Sequence, residues 1–261
     1  LSAPGAGPAD ALLGAPVTVS PVRFLSSPEE QLAPSLELAG LLYIPDRPSG
    51  RPAPGLVVGH GAGSRAARHA DFCQAACGHG FAVLALDFRG HGASQGRGDG
   101  PLELDLAAAA RLLRDRPEVD PAYICYRGSS MGGFYGLKAA PAAGFAALAL
   151  VCPAAETTML ESIDRGEDGP GADPSTRWDS PRLRAYFERQ DSRVLAARVS
   201  CPVLLVHARG DEVVPFAHSL LLAEHLRTDT TLIALEGGSH TSAQHDPDVH
   251  ACTVAWLRRG G

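Results

Sequence analysis

The sequence predicts an α/β fold: a mostly parallel central sheet with helices on both faces. Three observations carry this. Short, almost continuously apolar runs are bounded by Gly, Pro and Asp. Segments of helical period alternate with them. A Gly-x-Ser-x-Gly turn, Gly128-Ser129-Ser130-Met131-Gly132, stands between one apolar run and a helix-compatible segment. With 261 residues, 45% of them hydrophobic, the chain can bury one substantial core, and a single domain, 1–261, is expected.

Val17 to Phe24 and Leu36 to Ile44 alternate apolar and polar positions as two early strands, and the turn-rich stretch from Pro45 to Pro54 follows them. Leu56 to Gly59 is short and apolar enough to be a buried third strand. Helix signals run from Arg65 to Gly78, a fourth strand from Phe81 to Leu86, and a helix from Leu102 to Arg114 that Pro117 ends. Tyr123 to Tyr126 is the strand feeding the serine turn, and Phe134 to Ala140 is the helix leaving it. Ala146 to Val151, Val203 to Val206 and Thr231 to Leu235 complete the strands. Phe216 to Leu226 and Gln244 to Leu257 are the accompanying helices.

The region 153–200 breaks this rhythm and is expected to be a lid-like insertion after the sixth strand. Glu167 and Asp168 read as part of a solvated loop, whereas Leu183, Tyr186 and Phe187 fit a helix that packs back and brings an aromatic ring near the pocket. Residues 1–16, rich in Ala, Gly and Pro, are expected to form a loose tail.

The net charge of -6 and the scatter of Arg and Lys exclude the electrostatic footprint of a nucleic-acid partner. No apolar run approaches the ~20 residues needed to span a bilayer, so no membrane partner is expected either. Residues 1–16 lack a secretory pattern. A cytoplasmic location is therefore expected, with secretion as the alternative if a signal has been removed ahead of Leu1. Six cysteines are too few for a disulfide scaffold, and Cys125 and Cys152 fit apolar packing.

The serine turn has a chemical rationale. A serine hydroxyl becomes a nucleophile when a base is aimed at it and its oxygen is held clear of the backbone, and a sharp strand-to-helix turn flanked by glycines does both. The spacing selects Ser130 over Ser129. Asp211 follows a strand in Arg209-Gly210-Asp211-Glu212-Val213-Val214-Pro215, and His240 follows the last strand in Gly237-Gly238-Ser239-His240, giving the chain order Ser, Asp, His. His240 would take and return the proton while Asp211 fixes its tautomer. Glu212 is the rival acid, and His245, His250 and His91 are rival bases. The amides of Met131 and Ala62 are the expected oxyanion donors, with Gly61 as substitute for Ala62. His60 is expected to brace its loop, and Asp87 and Arg89 to tie the 87–94 loop to its strand end. No cofactor and no metal are implied.

On these motifs together with His60-Gly61-Ala62-Gly63 and Asp87-Phe88-Arg89-Gly90-His91-Gly92, the chain resembles the α/β-hydrolase superfamily. Within it, the chain is similar to dienelactone-hydrolase-like serine esterases and acyl hydrolases. Dienelactone hydrolases proper use cysteine as nucleophile, and Ser130 departs from that. The resemblance implies a carboxylic-ester hydrolase acting on a small-molecule ester, as a monomer or weak homo-oligomer. A serine peptidase or amidase, a thioesterase and a non-catalytic binding protein on the same fold remain as alternatives.

Overall fold

The computed structural model describes residues 17–26, 35–46, 50–166 and 176–260. The expected tail 1–16 and the pair Glu167 and Asp168 lie outside these residues. Eight strands form one sheet in the order β1-β2-β4-β3-β5-β6-β7-β8. The first two, β1 (Val17–Leu25) and β2 (Glu37–Pro45), form an antiparallel hairpin, and β2 pairs antiparallel with β4 (Ala82–Asp87). The remaining strands, β3 (Ala53–Gly59), β5 (Val119–Ser129), β6 (Leu148–Val151), β7 (Val203–Ala208) and β8 (Thr230–Leu235), run parallel to β4.

The chain passes outward from β3 to β4 and then returns to β5 on the other side of β3. Loops leaving β3 and β5 therefore diverge at their carboxyl ends, and a cleft opens there. Both core layers follow from the period-2 alternation of the strands. On one face Leu84, Leu86, Tyr126 and Leu150 pack with α2 (Glu103–Arg114) and α3 (Met131–Ala143). On the other, Val83, Ala85, Cys125 and Val151 pack with α1 (Ala70–Gly78) and α9 (Pro247–Arg258). Every residue of β4, β6 and β7 is buried, and all are apolar except Asp87 and His207 at the carboxyl ends of β4 and β7.

Several boundaries differ from the sequence reading, each for a local reason. The fifth strand starts four residues earlier than Tyr123, because Val119 and Asp120 pair with Ala53 and Pro54 ahead of a register shift. The segment read as one helix from Arg65 is a 3₁₀ turn, Ala66–His69, leading into α1. The segment from Gln244 to Leu257 is two helices, α8 (His240–His245) and α9. Pro247 cannot continue α8 and instead occupies the first turn of α9, while the Asp246 carboxylate caps that helix at the amides of Asp248 and Val249.

Between β6 and β7 lie α4 (Glu156–Arg165), α5 (Ser180–Phe187) and α6 (Ser192–Ala196); α7 (Ala217–His225) follows β7. Tyr186 and Phe187 do not reach the cleft. The Phe187 ring packs edge-on against Phe134 at 5.3 Å, and the Tyr186 hydroxyl donates to Glu103. It is α4 that faces the cleft.

Candidate active site

Ser130 links β5 to α3 with φ +52° and ψ −120°, a conformation that L residues rarely adopt and that costs about 1–3 kcal/mol. Four backbone hydrogen bonds hold it there. The Ser130 amide donates to Val151 at 3.0 Å, and its carbonyl accepts from Gly133 at 2.8 Å, Ala154 at 3.0 Å and Phe134 at 3.3 Å. Glycine is required on both sides of the turn by close approach. A Cβ on Gly128 would stand 2.6 Å from the Gly132 carbonyl oxygen, and one on Gly132 would stand 2.6 Å from that of Gly59. Ser129 is fully buried, whereas Ser130 lines a cavity at the carboxyl edge of the sheet.

Asp211 and His240 are brought into contact: Nδ1 of His240 lies 2.7 Å from Oδ2 of Asp211. The other carboxylate oxygen accepts from the amides of Val213 at 2.9 Å and Val214 at 2.8 Å. Sequence reasoning missed His207. It is fully buried at the end of β7, its Nε2 is 3.2 Å from Oδ2 of Asp211 and 3.0 Å from the Val214 carbonyl, and its Nδ1 is 2.7 Å from Ser219 Oγ. A nitrogen facing two acceptors carries the hydrogen, so His207 is a fourth donor to Asp211. Burial works against the Asp211 charge. The hydrogen bonds from His207, His240 and the Val214 amide outweigh it and hold the carboxyl far below the usual carboxylate range. A signal existed in the sequence: a polar residue directly continuing the apolar run Val203 to Val206 must find partners inside the protein.

His240 itself is not in a loop. It is the first residue of α8, whose N-terminus is fixed by a capping box between Ser239 and Ser242. The rival acid Glu212 accepts from the His240 amide at 3.3 Å, so it holds the histidine's backbone and not its ring. Of the rival bases, His245 is bonded to Asp71, His250 Nε2 lies 3.0 Å from the Gln244 carbonyl, and His91 is fully buried. His240 lines the same cavity as Ser130, together with Ala62, Met159, Val213 and Val214.

The loop after β3 is braced by His60. Its Nε2 accepts from the Phe88 amide at 3.2 Å, so its Nδ1 hydrogen points at the Gly61 carbonyl 2.7 Å away. Asp87 accepts from the amides of Ala66 and Ala93, and Arg89 forms a fully buried ion pair with Asp105 of α2 at 2.7 Å. These contacts place Ala62 on the cavity wall opposite the start of α3. Among the described residues neither the Ala62 nor the Met131 amide donates to a protein acceptor, and Met131, the first residue of its helix, has no intrahelical one.

Cys152, His207 and Asp211 bring three potential metal ligands within 4.8 Å of one another. Their chemistry fits a hydrogen-bonded cluster better. Oδ2 of Asp211 already accepts from two imidazoles, the His207 nitrogen carries hydrogen, and burial pushes the Cys152 thiol up to about 12, away from the thiolate a metal needs.

The comparisons agree with this architecture. A family model described as "Serine aminopeptidase, S33" matches residues 50–165, which carry the loop after β3, the 87–94 loop and the serine turn. An uncharacterized protein of Mycobacterium tuberculosis is 29% identical over 211 residues, covering 79% of this chain and 68% of the relative. Est1E from Butyrivibrio proteoclasticus, solved with ferulic acid bound, superposes with a TM-score of 0.68 at 20% identity, covering 86% of this chain and 94% of that one. An acetyl xylan esterase from Paenibacillus sp. R4 gives 0.67 at 20% identity, covering 96% and 92%. The chain has the α/β-hydrolase fold.

Proposed function

We propose that this protein is a serine hydrolase that cleaves small carboxylic esters through an acyl-Ser130 intermediate. The observation that carries the reading is the 2.7 Å contact between His240 and Asp211, made by a histidine that shares its cavity with a serine held in a strained turn. With its Nδ1 hydrogen committed to Asp211, His240 keeps the Nε2 lone pair for the serine proton. Ser130 Oγ attacks the carbonyl carbon, and the amides of Met131 and Ala62 take the negative charge on the oxygen. The imidazolium returns its proton to the leaving alcohol. Water then repeats the sequence on the acyl-enzyme, with His240 again as base.

Cavity size favours small substrates. Its volume of about 130 Å³ accommodates on the order of ten water-sized groups. A purified Ser130→Ala protein is expected to lose ~10³-fold or more in kcat on short nitrophenyl esters. A fluorophosphonate probe located on Ser130 by mass spectrometry would identify the nucleophile, and undiminished turnover by Ser130→Ala would overturn the assignment. The family model's description favours a second reading, peptide-bond hydrolysis by the same residues. Matched ester and amide substrates separate the two, with faster turnover of the amide selecting the peptidase.

A further inference from the structure

One wall of the cavity is unlike the rest. Arg68 and His69, from the 3₁₀ turn before α1, stand there with Gln244 and His245 from the end of α8, and among the described residues no Asp or Glu side chain lines the cavity. This is notable in a chain with a net charge of -6. Behind the wall lies Arg127, fully buried three residues before Ser130. It donates to the Gln244 carbonyl at 2.9 Å, lies 3.2 Å from Nδ1 of His69 and sits over the Phe72 ring at 4.7 Å. No carboxylate among the described residues comes within ion-pair distance of Arg127 or of Arg68.

The arginine fixes the chemistry of the histidine in front of it. A guanidinium only donates, so Nδ1 of His69 accepts and its hydrogen sits on Nε2. Burial and then the Arg127 charge draw the His69 pKa well below the ordinary imidazole range, so the ring stays neutral with that one hydrogen. His69 is 2% exposed, and its Nε2 has no hydrogen-bond partner among the described residues. A buried donor left unmet is costly, and an acceptor brought by a ligand would satisfy it. The His245 ring stacks on His69 at 5.6 Å, and Nδ1 of His245 is tied to Asp71, the one acid in the group, at 2.8 Å. Asp71 therefore offsets part of the cluster's positive charge, and Arg68 remains exposed at the mouth with no carboxylate of the described residues within ion-pair distance.

We propose that the wall formed by Arg68, His69 and His245 is a subsite for a carboxylate on the substrate, so that the preferred substrates are short esters bearing a free carboxylate on one arm. This rests on the ester-hydrolase reading above. The Arg68 fork supplies paired donors of the geometry a carboxylate accepts, His69 supplies the fixed N–H, and Arg127 behind them, only partly offset by Asp71, biases the wall toward an anion.

The test compares kcat/KM for two matched pairs: monoethyl glutarate against ethyl pentanoate, with the charge on the acyl arm, and 4-acetoxybutanoate against butyl acetate, with the charge on the alcohol arm. In the parent protein at low salt, one charged ester is expected to be preferred over its neutral match by about tenfold or more. That ratio should fall toward parity in Arg68→Gln, whose exposed position spares the fold, and should shrink as salt is raised. Equal or inverse preference in both pairs, or a ratio that Arg68→Gln leaves intact, overturns the subsite. If the parent turns over none of the four esters, the ester reading fails separately. The subsite is then judged by calorimetric titration with glutarate: binding weakened about tenfold in Arg68→Gln supports it, and equal or absent binding in the two proteins overturns it.

Discussion

At the scale of single residues, Asp211 is held as an anion by more donors than the proton relay requires, and His207 is the one the reaction does not obviously use. It competes with His240 for the same oxygen. Replacing His207 with Phe, a ring without a donor, leaves a carboxylate with one donor fewer and therefore a stronger hold on the imidazolium. The acid limb of the kcat/KM profile on a neutral ester should move to higher pH, with kcat/KM reduced about tenfold. A profile superimposable on the parent's would remove His207 from the relay. Asp211→Asn is expected to cost more, on the order of 10³–10⁴ in kcat, because an amide can present its N–H to His240 and select the wrong tautomer. Steady-state kinetics on folded variants measures both.

Elements set how much of this was legible in advance. The serine turn is readable because its demands are local: two glycines forced by contacts of 2.6 Å, and a serine at the one position between strand and helix that can be strained and exposed. Gly132→Ala should therefore destabilise the protein by about 2 kcal/mol or more, because the new methyl group meets backbone on β3 that has nowhere to go. Urea unfolding would show it as a shifted midpoint. Asp211 and His240 are readable from their places just beyond strand ends. Arg127 and His69 were not, because the partners that order the guanidinium lie 58 and 117 residues away in sequence, and only contacts made on folding turn a buried charge into an ordered one. The break at Pro247 was legible in principle, since Asp246-Pro247 is a helix-start signal, but the apolar period running across it masked the boundary.

The whole molecule carries several imidazoles inside its packed layers, and its stability should depend on acid accordingly. Burial draws His91 down to about 3 and His218 to about 4, and His69 well below the ordinary 6.5. The unfolded chain takes up protons at these rings once the pH falls through about 6.5, and the folded protein does not until far lower. Their stabilising contribution is thus complete above that pH and is lost below it, on the order of 1 kcal/mol per pH unit for each ring. Asp211 adds a loss of the same sign below about pH 4, where the unfolded carboxyl protonates first. Thermal melts between pH 8 and 4 should show Tm flat at the upper end and falling steeply below 6.5. A Tm constant down to pH 5 would contradict the buried neutral rings.

Strand β5 carries the Arg127 guanidinium near its end, and three residues on, just past the strand, stands the hydroxyl proposed as the nucleophile. The backbone between them spans about 10 Å or less and is held in place, Arg127 and Gly128 pairing with both β3 and β6 and Ser129 with β6. The cavity then works as a calliper. On the two proposals above, one jaw grips the charged end, the other marks the bond to be cut, and a homologous series of half-esters should show a sharp optimum in methylene count where a pliable pocket would give a gradual slope.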